Sequence, residues 1–173
     1  QRDRAVRMFA SRCLSLLLLT LTAPRAQRFA RDVLDPEAAQ RRRLRAILGR
    51  ERDTVFGREH GFARIRDPED FRRAVPIRPP EAFAPYLDRM ASGEPGVLTR
   101  DPLMMFARTS GTTGAPKLCP VTRRSVEEQR AAHAVWLRAL VRDRPDIASG
   151  SLLSIVGGAE DGRTEGGVPY GSA

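Results

Sequence analysis

The chain has 173 residues, 41% of them apolar and 29% charged, with a formal charge of +9 at neutral pH. Such a length and apolar content suffice for one domain with a buried core and exclude wholesale disorder. The basic excess raises nucleic acid or an anionic membrane surface as partners, but the arginines run along the whole chain and are interleaved with carboxylates, which favours a solvated, salt-bridged surface.

The chain opens with basic RDRAVRMFASR and the apolar run CLSLLLLTLTA (13–23). That run is shorter than the ~20 residues of a spanning helix. Basic residues, an apolar run and the small residues of TAPRA also imitate a secretory signal. We read residues 1–34 as an N-terminal helical segment whose apolar face docks on the domain, with no stable membrane association.

Helix punctuation begins at Asp35, which can cap, followed by Pro36 at the first helical position. Leu44, Ile47 and Leu48 recur at helical spacing, and Gly49 is the expected stop. The neighbouring Arg41-Arg42-Arg43 cluster has no aromatic beside it to stack on a base, so no nucleic-acid partner is expected. Asp67, Pro68 and Asp70 open a second helix in the manner of a capping box, with Phe71, Ala74 and Val75 inward and Pro76 as terminator. Glu69 stands three and four residues before Arg72 and Arg73, the spacing of ion pairs on a helix face. A third helix after Pro85 carries Tyr86, Leu87 and Met90 inward and stops near Gly93.

Short strands are expected at 97–99 and 103–107. Residues 126–141 read as a helix capped by Ser125, with Ala132, Val135, Trp136, Ala139 and Leu140 on its inner side. Residues 152–156 read as a buried strand ended by Gly157 and Gly158. Helical first half, then strand, glycine loop, helix, strand, is an α/β order. Cys13 and Cys119 offer no disulfide framework, and with His60 and His133 they lack metal-ligand spacing. No metal site is expected, a reducing cytoplasmic setting fits, and Cys119 reads as a buried loop thiol rather than a nucleophile.

The stretch TSGTTGAPK (109–117) holds the only lysine among 30 basic residues. Glycines let backbone N–H groups approach an anion closely. Ser110, Thr112 and Thr113 add hydroxyl donors, and Lys117 adds a charge with three donors. So many donors after an apolar strand suit a phosphate tail better than an ordinary surface turn. The spacing is not that of a Walker A loop, because Gly111 is followed by Gly114 and Pro116 precedes Lys117. Nor is it GxGxxG.

At these residues the sequence resembles the acyl-adenylate-forming superfamily of acyl-CoA ligases, luciferases and peptide-synthetase adenylation domains. Within it, ERDTVFG (51–57), FGREHGFARIRDPEDFRRAVPI (56–77) and GRTEGGVPYGSA (162–173) are most similar to the acyl-acid amido synthetases of the Gretchen Hagen, or auxin-responsive promoter, family. The resemblance implies that residues 35–173 are an incomplete N-terminal portion of a large adenylation domain, inactive alone, with the C-terminal remainder absent. It also implies a two-step reaction: a carboxylic acid attacks the α-phosphate of ATP to give acyl-AMP, and an amine such as an amino acid then displaces AMP. By the same resemblance Thr109, Ser110, Gly111, Thr112, Thr113, Gly114 and Lys117 hold the pyrophosphate portion of ATP, with Mg2+ sharing the charge. No residue is assigned to catalysis or to recognition of acid or amine, and a monomer is expected. Two alternatives stand beside this reading: an acyl-CoA ligase type of enzyme, and a non-catalytic basic module for nucleic acid or membrane. Acyl-CoA ligases typically place glycine directly after the loop lysine, where this chain has Leu118-Cys119-Pro120.

Overall fold

The computed structural model describes residues 2–109, 117–145, 147 and 160–172, with side chains from Cys13 onward. Two compact units emerge, Gln1–Pro36 with Glu127–Ile155, and Glu37–Val126 with Val156–Ala173. The first unit holds helix α1 (Arg2–Leu34) and most of the sixth helix described below. Among the described residues no helix is long and apolar enough to cross a membrane.

The covered side of α1 takes in only part of its apolar run. Leu14, Leu16, Leu17 and Leu21 are exposed, and the most covered positions are Ser15 and Thr22. Leucines occupy nearly every side of this helix, and only one side can face a neighbour. Leu18 and Leu19 are half-buried on the same side as Ser15 and Thr22, and Thr22 returns its hydroxyl to the Leu18 carbonyl at 2.6 Å.

In the second unit, α2 (Pro36–Glu51) passes Gly49 and ends two residues later. The stop lies at Glu51, whose carbonyl accepts from Thr54 N at 3.1 Å and from Thr54 Oγ1 at 2.7 Å. Thr54 is wholly buried and caps α3 (Val55–Glu59) by accepting from Gly57 N at 2.9 Å. The Glu51 carboxylate, also buried, takes Arg50 Nε at 2.6 Å and Arg100 N at 2.8 Å. One glutamate thus ties the end of α2, the start of α3 and the segment before the first strand.

That segment is not the strand expected at 97–99. The carbonyls of Gly96 and Val97 accept from Val55 N and Phe56 N, at 2.9 and 3.1 Å. They satisfy first-turn N–H groups of α3 that have no partner within their own helix.

Helix α4 (Pro68–Ala74) forms as its caps predict: Asp67 accepts from Asp70 N at 2.8 Å, and the Asp70 carboxylate accepts from Arg66 N at 3.1 Å. Glu69 pairs with Arg72 at 2.9 Å. A 3-10 turn (Pro80–Phe83) leads into α5 (Ala84–Ala91), and Gly93 follows at φ +94°. Met90 of α5, Val97 and Phe106 form the buried core, with Tyr86 and Leu87 packed against it. Burying each such side chain contributes about 1.5–3 kcal/mol.

A four-stranded sheet completes this unit: β1 (Leu103–Arg108), β2 (Leu118–Thr122), β3 (Gly162–Arg163) and β4 (Pro169–Gly171), in the order β2-β1-β4-β3. β1 pairs antiparallel with β2 and parallel with β4. The chain is therefore α/β with a helical first half, as expected, but the glycine loop joins two antiparallel strands before the helix begins. Strand β2 carries Pro120, which is tolerated because β2 lies at the edge of the sheet.

Helix α6 (Arg123–Asp143) starts before the expected residue 126. Its cap is Thr122 rather than Ser125: Ser125 N donates to Thr122 Oγ1 at 3.1 Å, and Thr122 N donates to Ser125 Oγ at 3.0 Å. This is the reciprocal logic of a capping box with serine at the third position. The buried face centres on Val141, while Ala132 and Ala139 are exposed and Trp136 is 61% exposed. Val135 and Leu140 are half-buried as expected, together with Ala134, Leu137 and Arg138, and Arg138 donates to the Leu19 carbonyl of α1. The strand expected at 152–156, with Gly157 and Gly158, lies outside the described residues.

Candidate functional site

Strands β1 and β2 converge on the glycine loop. Their ladder runs from Leu103↔Thr122 to Arg108↔Leu118, and one step further Thr109 meets Lys117. Thr109 N donates to the Lys117 carbonyl at 3.0 Å, and Lys117 N donates to Thr109 Oγ1 at 3.0 Å. Thr109 and Lys117 thus form the neck of the loop, held by both backbone and hydroxyl. Ser110, Gly111, Thr112, Thr113 and Gly114 lie outside the described residues.

The neck stands at the sheet end where β1 finishes. Parallel β4 ends in the same direction, with Gly171 opposite Ala107. Open α/β sheets bind ligands outside the carboxyl ends of such strands. Arg108 is paired there with Asp161 at 2.8 Å. Behind the sheet end, the GRTEGGVPYG stretch clasps α5: Thr164 Oγ1 and Gly166 N both donate to the Ala91 carbonyl, at 2.6 and 3.0 Å. A Cβ at Gly166 would lie 2.4 Å from the Ser92 carbonyl carbon, so the approach needs glycine.

The Lys117 side chain is half exposed and reaches back to the 3-10 turn, with Nζ 2.8 Å from Glu81 Oε1. The Lys117 hydrogen bond, helped by the backbone N–H of Glu81 itself, holds the Glu81 carboxyl below the usual carboxylate range. Sequence reasoning missed Glu81, and no local signal marks it, because its partner lies 36 residues away. The turn that carries it is fixed by Phe83, whose ring lies 6.0 Å from Phe56 and 6.4 Å from Tyr86.

Other candidates sort plainly. Cys119 is exposed on β2 rather than buried, because it sits on an edge strand. His60 Nδ1 bonds the Ala74 carbonyl at 2.8 Å and its ring lies 4.2 Å from that of Phe56, a structural tie between α3 and the end of α4. Among the described residues no three His, Cys, Asp or Glu side chains gather as a metal site.

Comparison with known proteins bears on the whole stretch. Residues 25–173 match the family model described as the GH3 family N-terminal domain. The chain is 33% identical over 179 residues to a probable indole-3-acetic acid-amido synthetase GH3.7 of Oryza sativa subsp. japonica, covering 91% of this chain and 28% of that protein. It is 27% identical over 144 residues to the indole-3-acetic acid-amido synthetase GH3.6 of Arabidopsis thaliana, covering 82% of this chain and 24% of that protein. Among solved structures, a GH3.15 acyl acid amido synthetase matches with a TM-score of 0.68 and 28% identity, over 77% of this chain and 24% of the other. The chain spans less than a third of the length of these curated relatives. On the family match and the shared fold, the chain belongs to the GH3 family, whose N-terminal domain it matches from residue 25 to residue 173.

Proposed function

We propose that this chain is the N-terminal portion of an ATP-dependent acyl acid amido synthetase. In this reading the loop bounded by Thr109 and Lys117 holds the β- and γ-phosphates of ATP while a carboxylic acid attacks the α-phosphate. The observation that carries the reading is the neck itself. It is a two-strand mouth closed by two hydrogen bonds at the carboxyl end of β1, and it presents the only lysine in the chain beside a threonine- and glycine-rich loop.

The donor set fits the ligand. Charge builds on the leaving pyrophosphate as the α-phosphorus–oxygen bond breaks, and hydroxyls, backbone N–H groups and one ammonium can stabilise it. Ser110, Gly111, Thr112, Thr113 and Gly114 would supply the donors between the neck residues. Mg2+ bound with the nucleotide would share the phosphate charge. The acceptor is an amine, in keeping with the amino acid conjugation named for the relatives, such as the jasmonoyl-L-amino acid synthetase GH3.3 of Oryza sativa subsp. japonica. Exposed, unpaired Cys13 and Cys119 suit a reducing cytoplasm.

Arg72, Arg89, Arg108 and Arg124 are each engaged by a carboxylate within the fold, which supports reading them as part of a salt-bridged surface. The experiment is an acceptor assay on the full-length enzyme. It should exchange labelled pyrophosphate into ATP only with its acid present, then form an amide with an amino acid and no thioester with coenzyme A. Thioester formation would move the protein to the acyl-CoA ligase class, and an absence of exchange with any acid would remove the adenylation reading.

A further inference from the structure

We propose that Glu81 is the resident counter-ion of the loop lysine: it occupies the Lys117 ammonium until a phosphate group displaces it, and so sets how tightly the loop takes its nucleotide. The inference rests on the reading of residues 109–117 as a pyrophosphate-holding loop. Glu81 Oε1 and Lys117 Nζ are 2.8 Å apart, joining a helical turn to the mouth of a loop that is distant in sequence. Pro79 and Pro80 limit the backbone of that turn, and Phe83 anchors it on Phe56 and Tyr86, so the carboxylate has a fixed base. The Lys117 backbone is held in the neck, while its four-carbon stem is half exposed. Arg108, the neighbouring cation, has Asp161 as its own partner.

Two consequences follow from charge. A carboxylate in contact with the ammonium must be exchanged for phosphate oxygens when nucleotide binds, and the released carboxylate stays close by with the same sign as the phosphates. The pair is exposed on both sides, so water screens it and a polyanion outcompetes it at modest cost. Glu81 is a positioning residue on this account, acting only through Lys117.

The test is calorimetric titration of ATP with Mg2+ into the full-length enzyme as wild type, Glu81→Gln, Lys117→Ala and the double variant. Glu81→Gln is expected to lower Kd roughly two- to fivefold, the range of an exposed ion pair. The gain should shrink toward unity in the Lys117→Ala background, which a merely structural role of Glu81 would not do. Glu81→Ala gives the same reading should the glutamine form an amide contact of its own. An unchanged or higher Kd in both variants, or a full gain without Lys117, overturns the proposal. Wild-type affinity in Lys117→Ala instead overturns the reading of the loop on which it rests.

Discussion

Lys117→Ala is expected to slow acid-dependent exchange of pyrophosphate into ATP by about 10²- to 10³-fold, the loss that follows removal of one preorganised donor from developing negative charge. The neck survives the substitution, because its two bonds use the Lys117 backbone N–H and carbonyl together with the Thr109 N–H and hydroxyl. The side chain forms no part of the core and pairs only with exposed Glu81 among the described contacts. Thermal stability should therefore change little while exchange collapses. Lys117→Arg should also lose most of the exchange, since a planar fork cannot reproduce a compact ammonium on a flexible stem. Exchange at the wild-type rate in the alanine variant would detach the lysine from the chemistry.

The largest stability effect is expected at Gly57. A Cβ there would stand 2.1 Å from the Glu51 carbonyl oxygen and 2.9 Å from Thr54 Oγ1. Both atoms belong to the closure that ends α2 and caps α3, so neither can retreat without opening it. Gly57→Ala combines overpacking with damage to a helix cap, and a loss of about 2–4 kcal/mol follows. Gly49→Ala is the matched control: a Cβ there meets nothing within 4 Å, on the exposed side of α2. Removing a helix-interior glycine should stabilise by about 0.5–1 kcal/mol. Denaturant midpoints read both changes, and equal midpoints for the two variants would remove Glu51 and Thr54 from the centre of this account.

Local marks explain why the helices of the first half were legible. Asp67, Pro68 and Asp70 carry out their capping within four residues, and that helix forms as read. Where a distant partner decides the structure, the reading diverges. Gly49 is a sensible stop, yet α2 continues because Thr54 closes its end at Glu51. Residues 97–99 have strand composition, but α3 claims the carbonyls of Gly96 and Val97. The strand Leu118–Thr122 carries a proline and, among the described strands, pairs with β1 alone. Trp136 reads as inward by its apolar character, whereas it is exposed and the most covered position of α6 is Val141. At the site, composition singled out the loop and its lysine, and the structure adds what composition lacks: Thr109 and Lys117 joined across the neck, and Glu81 on the ammonium.

The central claim is that nucleotide sits on the loop between Thr109 and Lys117. Hydrogen–deuterium exchange of the full-length enzyme, followed on the peptide covering residues 109–117 with and without ATP and Mg2+, tests it most directly. Phosphate oxygens accepting from the loop N–H groups should slow exchange there, while α2 and α3 keep their rates. Saturating ATP that protects other peptides and leaves 109–117 exchanging at its free rate would contradict the claim.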